Sequence, residues 1–276
     1  MDKIDVRKVF RDKNPKVAKM IPGFVFRYIE RIVHQKDLND GIAVFGDKYG
    51  LDFVQAIIDY FSLNIEIEGE ENIPVTGRHI FVANHPLGGL DGIVFAHVVS
   101  QKNPNIKFLI NDILMALDNA HSIFVPINKH GRQSIEYVRR LEETYASDAE
   151  ILNFPAGLCS RKTKGQIIDL EWKKSFIAKA VKHKRDVVPT YITGKNSNFF
   201  YNLSNLRGIL GIKTNLEMFY LVDEVFKQQD KNIKLFFGKP IPYQIFDKSH
   251  NAKEWAQKVK EYVYTLPKGN TEPFLT

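Results

Sequence analysis

The residues whose types and spacing can do chemistry together are His85 and Asp91, six apart in the stretch Ile80 to Gly92, IFVANHPLGGLDG. An imidazole has an unperturbed pKa of about 6.5, and a carboxylate that fixes its tautomer and steadies its protonated form makes it a general base usable near neutral pH. Such a pair deprotonates a hydroxyl or an amine. The N–H groups around Gly88, Gly89 and Leu90 are expected to be free at the start of a helix, which offers donors for an oxyanion or a phosphate beside the base. The plainer reading is that His85 ends a strand, Asp91 caps a helix and the glycines turn the chain. Base, orienting acid and anion donors on one loop favour the catalytic reading.

The elements on either side have to bring the pair together. Ile80 to Ala83 is an apolar run that reads as a short strand buried on both faces, stopping abruptly at Asn84 and His85. Asp91 precedes Gly92 and the run IVFAHVV, where a helix N-terminus is expected. From Leu63 onward strands and helices alternate, with Leu63, Ile65 and Ile67 on one face of a half-exposed strand, and further strands at Lys107–Ile110, Ile123–Ile127, Ile151–Phe154 and Val187–Ile192. Helices are expected at Leu51–Phe61, Gln133–Tyr145, Trp172–Lys182 and Asn251–Tyr264. This pattern predicts an α/β layered sheet with flanking helices.

Ahead of it, residues 1–68 read as an N-terminal helical segment and 69–276 as the α/β domain. Between Pro22 and Gln35, Val25, Tyr28, Ile29, Ile32 and Val33 fall at helical spacing with Arg27, Glu30, Arg31 and His34 opposite, a stripe that either faces lipid or packs on the main domain. Phe199 to Ile212 is a second apolar stretch, suited to lining an acyl channel, touching a bilayer or packing in the core.

The 276 residues, 44% of them hydrophobic, can bury a large core. A net charge of +7 suits an anionic lipid surface, an acidic carrier protein or a nucleic acid. No nucleic-acid-binding module or aromatic-interleaved basic stripe is present, so nucleic acid is not an expected partner. The single Cys159 excludes an intramolecular disulfide and the usual cysteine zinc clusters, and it fits a reducing cytosol. The start of the chain, MDKIDVRKVFRDKNPK, lacks the apolar core of a signal peptide, and no apolar run reaches the roughly 18 residues of a spanning helix. Membrane contact is therefore expected to be peripheral.

Asn84-His85, five residues and Asp91 resemble the first motif of the glycerolipid acyltransferases, Asn-His, four residues, Asp, with one residue more. The form NHPLGGLDG is similar to the hemolysin-like branch of that superfamily, which includes bacterial O-acyltransferases that complete ornithine and glycine lipids. The likeness runs from about Asn14 to Pro242. Ile123 to Arg132, IFVPINKHGR, resembles the second motif, an apolar strand ending at a basic residue; here Lys129 and Arg132 stand near that place, where a cation holds phosphate or carboxylate. Phe154 to Arg161, FPAGLCSR, resembles the box Phe-Pro-Glu-Gly-Thr-Arg-Ser: Phe154, Pro155, Gly157 and Ser160 match, while Ala156 replaces the Glu, Leu158 the Thr and Cys159 the Arg. Val187 to Thr190 resembles the fourth motif, an apolar strand ending in proline.

The resemblance implies an acyltransferase-like fold and transfer of a fatty acyl group from acyl carrier protein or acyl-CoA to the hydroxyl of a lyso-lipid. His85 and Asp91 would be catalytic, and Asn84, Gly88, Gly89, Lys129, Arg132, Phe154, Pro155, Gly157, Ser160 and Arg161 would bind substrate. It implies no metal and no cofactor. In the family the missing Glu and Arg are associated with the glycerol-phosphate part of the acceptor, so their loss points to a lyso-aminolipid instead. A 1-acylglycerol-3-phosphate acyltransferase and a non-catalytic basic membrane-binding protein are the competing expectations. The expected place of action is the cytoplasmic side, peripheral on the inner face of the cytoplasmic membrane.

Overall fold

The computed structural model describes residues 3–13, 15–111, 117–127, 135–212 and 215–274. Lys129 and Arg132, and with them the expected basic end of the second motif, lie outside these residues.

The buried run at Ile80 sets the architecture, because a strand with no polar face must be covered on both sides. The strands of the sheet and its neighbouring hairpin are, in chain order, β1 (Asn64–Glu68), β2 (His79–Ala83), β3 (Ile106–Asn111), β4 (Phe124–Ile127), β5 (Glu150–Asn153), β6 (Arg161–Thr163), β7 (Gln166–Ile168), β8 (Asp186–Ile192) and β9 (Asn232–Phe237). Seven of them form one sheet in the order β1-β9-β8-β2-β5-β3-β4, and β6 with β7 forms a separate hairpin. The strands β8, β2, β5, β3 and β4 are mutually parallel, and only the β8–β9 junction is antiparallel. The chain is thus a mixed α/β protein with a predominantly parallel sheet and flanking helices, as the alternation of elements predicts.

Eleven helices accompany the sheet among the described residues: α1 (Val6–Lys13), α2 (Pro15–Met20), α3 (Gly23–Ile32), α4 (Gln35–Phe45), α5 (Gly50–Tyr60), α6 (Leu90–Lys102), α7 (Ile135–Ala146), α8 (Ser175–His183), α9 (Asn198–Ile209), α10 (Leu221–Phe226) and α11 (Ala252–Val263). On one face Phe81 and Ala83 of β2 join a core with Phe53, Val54 and Ile58 of α5 and Val94, Phe95 and Val98 of α6. On the other, Ile80 and Val82 join Phe176 and Ile177 of α8 and Trp255, Val259 and Val263 of α11. Both faces of β2 are therefore dry, and each buried side chain of this size contributes about 1.5–3 kcal/mol. The cap of α11 is built from Asn251, whose side chain accepts from the N–H groups of Lys253 and Glu254 while the Glu254 carboxylate accepts from the Asn251 N–H.

The described residues of the 1–68 segment pack in two groups. β1 is the edge of the sheet, paired in parallel with β9, and Phe45, Phe53 and Phe61 belong to the main core. A separate small cluster joins Val6, Ala18 and Phe26 with Phe10, Ile21, Ile29 and Val33. The stripe of α3 is accordingly divided: Phe26, Ile29 and Val33 face inward, and Phe24 and Tyr28 are exposed. The helix expected from Trp172 starts at Ser175, because Trp172 is buried in an extended segment where its indole N–H reaches the Asp169 carboxylate at 2.8 Å.

Candidate active site

Parallel strands place their carboxyl ends on one edge of a sheet, and open α/β sheets bind ligands there. β2 ends at Ala83 between β5 and β8, so His85 follows the central strand and Phe154 follows its neighbour. The two rings stack, with centroids 4.1 Å apart and planes 17° apart. Phe154 in turn meets the edge of Phe108, and a side chain at Gly92 would strike that Phe108 ring, so the small residue after Asp91 lets α6 approach β3.

Asp91 is wholly buried, in the first turn of α6. Its Oδ2 accepts from His85 Nδ1 (3.0 Å), Leu87 N–H (2.9 Å) and Gly88 N–H (3.2 Å), and its Oδ1 from its neighbour Gly92 N–H (3.0 Å). Four donors compensate a carboxylate that water does not reach. Because a carboxylate only accepts, Nδ1 of His85 carries the proton and Nε2 holds the free lone pair. Among the described residues Nε2 has no protein partner, and the ring is partly exposed. This is the arrangement of an oriented general base.

The PLGG loop folds onto this carboxylate through Gly88, whose φ of +80° suits glycine and where a Cβ would come within 2.9 Å of Leu221 and 3.1 Å of Cys159. Its N–H, expected to be free for an anion, is held by Asp91; those of Gly89 and Leu90 have no acceptor among the described residues.

The other expected binding residues among the described ones, Asn84, Pro155, Gly157, Ser160 and Arg161, make hydrogen bonds within the protein. Asn84 uses its whole amide on β8, donating to Ile192 O (2.9 Å) and accepting from Ile192 N–H (2.7 Å). Ser160 donates its N–H to His85 O (2.7 Å) and its hydroxyl to Asp169 Oδ1 (2.6 Å). Pro155 is buried with its carbonyl accepting from Lys173 N–H, and Gly157 turns the chain at φ +67° with its N–H on Phe154 O. Arg161 is buried too: one Nη donates to Cys159 O (2.7 Å) and the other to Glu217 Oε1 (2.9 Å). Glu217, fully buried, also accepts from Arg207 Nε at 2.9 Å. The cation expected to hold an acceptor's anionic group is thus paired inside the protein.

Asp169 is a residue that motif reading passes over. Its Oδ1 accepts the His85 N–H (3.2 Å) beside the Ser160 hydroxyl, and Oδ2 accepts from Trp172. Burial pushes this carboxyl above the ordinary range, against the opposite pull of hydrogen bonds from Ser160, Trp172 and the His85 amide. From α11 and its end, Lys260 donates to Asp169 O (2.6 Å) and the Tyr264 hydroxyl accepts from Asp169 N–H (2.8 Å). No local pattern marks it; the only sequence signal is a nearby tryptophan whose indole N–H needs an acceptor when buried.

Cys159 is buried, and desolvation pushes its thiol up to about 11 despite the neighbouring Arg161. A protonated thiol is no nucleophile. Cys159→Ala is expected to keep most of the steady-state transfer rate; a loss as deep as that of a catalytic residue would restore a role for the sulfur. Among the described residues no cluster of His, Cys, Asp or Glu could hold a metal ion.

A family model described as acyltransferase matches residues 8–270. The chain is 47% identical over 264 residues to a lyso-glycine lipid O-acyltransferase of Bacteroides thetaiotaomicron, covering 95% of this chain and 97% of that one. It is 46% identical to a lyso-glycine lipid O-acyltransferase of Phocaeicola vulgatus, covering 95% of each. In fold it is similar to the crystal structure of the 1-acyl-sn-glycerophosphate acyltransferase PlsC from Thermotoga maritima, with a TM-score of 0.50 and 19% identity over 87% of this chain and 79% of that one.

Proposed function

The chain belongs to the acyltransferase family, within the glycerolipid acyltransferase superfamily, and from that premise we propose that it esterifies the hydroxyl of a lyso-aminolipid, with His85 as base and Asp91 as its orienting acid. The observation that carries the chemistry is the buried Asp91 carboxylate on Nδ1, which leaves the Nε2 lone pair without a partner among the described residues at the carboxyl edge of the sheet. Nε2 takes the proton of the acceptor hydroxyl as that oxygen attacks the thioester carbonyl carbon. The C–S bond then breaks, and the imidazolium returns the proton to the departing thiolate. No acyl-enzyme forms.

The acceptor class rests on the likeness to the two lyso-glycine lipid O-acyltransferases. The internal pairing of Arg161 with Glu217 and the replacements at Ala156 and Cys159 support it over a lysophosphatidate acceptor. The donor is acyl carrier protein or acyl-CoA, both anionic and suited to a chain of net charge +7. No described helix is long and apolar enough to cross a membrane. The protein works from the inner face of the cytoplasmic membrane, which α3 meets through Phe24 and Tyr28 with the exposed Arg27 and Arg31 at the headgroups. Lipid profiling of cells with and without the gene tests the function: the deletion should accumulate a monoacylated aminolipid and lose its diacylated product. Unchanged aminolipids with altered phosphatidate would overturn it.

A further inference from the structure

The segment that roofs the catalytic loop has two unlike sides. Inward, Leu221 lies against Gly88 and Val225 against Gly89, and Glu217 ties the segment to Arg161 at the end of the third motif. Outward, Leu206, Ile209 and Leu210 of α9 and its end, and Phe219 on the short turn before α10, stand in solvent; Ile209 is 83% and Leu210 63% exposed. Apolar side chains of this size left outside on an element that could have turned them inward mark a contact surface.

This surface continues onto α3. The Tyr220 hydroxyl meets that of Tyr28 at 2.6 Å, and the Tyr220 ring meets Phe199 of α9 edge-on at 4.9 Å. Beside Tyr28 the Arg31 guanidinium lies 5.3 Å from the ring centre, and neither Arg27 nor Arg31 has a carboxylate partner among the described residues. Aliphatic and aromatic groups flanked by unpaired cations match the boundary between acyl chains and anionic headgroups better than they match a protein surface.

We propose that the outer face of α9 and of the Phe219 turn is a second membrane-contacting surface, and that its partner is an anionic bilayer. The inference rests on the peripheral location proposed above and adds to it. The Phe219 turn leads directly into α10, whose Leu221 and Val225 lie on the His85 loop, so docking of the outer face sets the roof of the active site against the phase that holds the acceptor.

The test is co-sedimentation with phosphatidylglycerol-containing vesicles of the full chain, an Ile209→Asp/Leu210→Asp variant and a Phe24→Asp variant. Both substituted α9 positions are exposed, so the thermal unfolding midpoint should be unchanged while vesicle affinity falls at least about tenfold. As an independent measure, a polarity-sensitive dye on Ile209→Cys should shift to the blue on adding vesicles, the buried Cys159 staying unlabelled. If Phe24→Asp loses binding while the α9 variant binds as the full chain does and the dye stays unshifted, the location stands and this surface is wrong. If the unsubstituted chain binds no vesicle, the location falls and this inference with it. A dimer in sedimentation velocity that Ile209→Asp/Leu210→Asp returns to monomer would make the face a contact between two copies and overturn the proposal.

Discussion

Replacing His85 with alanine is expected to lower kcat for acyl transfer by about two to four orders of magnitude, the usual worth of a positioned general base. The fold should survive, because the imidazole is at a strand tip and the strand itself is held by Ile80, Phe81, Val82 and Ala83, all fully buried. Asp91→Asn should be comparably severe for a different reason. An Asn side chain has a single acceptor, whereas Asp91 takes hydrogen bonds on both oxygens from four donors. Whichever way the amide turns, it sets an NH2 against a donor, and with the NH2 toward His85 the imidazole has to present its lone pair at Nδ1. Steady-state kinetics and circular dichroism on the two purified variants separate the effects: native spectra with collapsed kcat are expected. A His85→Ala protein that kept more than half its activity would remove the base from the mechanism.

Asp169→Asn should give the second large effect, although Asp169 is assigned no contact with the reacting groups. The carboxylate is a three-way acceptor for the His85 amide, the Ser160 hydroxyl and the Trp172 indole. Ser160 in turn donates its own amide to the His85 carbonyl, so the backbone of the base is gripped on both sides. Asn places a donor against either Trp172 or the His85 amide, and one arm of the grip opens. A displacement of about 1 Å at a catalytic group costs about a hundredfold in rate. The expected result is a fall of that order in kcat with KM nearly unchanged and a weakened low-field proton resonance for His85 Nδ1. A variant that melted earlier but kept its kcat and that resonance would reduce Asp169 to a structural group.

The His85–Asp91 pair was legible in sequence because chain geometry forces it: a buried strand that ends at Ala83 and a helix that begins at Leu90 leave only six residues between them, so His85 and Asp91 are held at the two ends of one short loop. The α/β alternation was legible for the same local reason. Partnerships across long separations were not. Arg161 reads as a free cation until Glu217, 56 residues on, is seen to accept from it, and Asp169 reaches His85 across 84 residues. The Gly88 amide reads as an open donor because it precedes a helix start, while the left-handed turn at Gly88 aims it back at Asp91. The α3 stripe was blurred by neighbouring helices: periodicity finds an apolar face but does not say that Phe26 and Ile29 have Val6 and Phe10 to cover them while Phe24 does not.

The acceptor is tested most directly by a competition between a monoacylated glycine lipid and lysophosphatidate for one purified enzyme, run with acyl carrier protein and with acyl-CoA as donors. A phosphate held at close range calls for bidentate arginine. Here Ala156 and Cys159 stand where the family has its charged pair, and the nearby Arg161 is engaged by Glu217. The expected result is a kcat/KM that favours the glycine lipid by at least about tenfold, the scale on which leaving a charged group without its partner discriminates. Preference for lysophosphatidate, particularly one that Arg161→Ala abolished, would contradict it by showing that Arg161 leaves Glu217 to hold a phosphate.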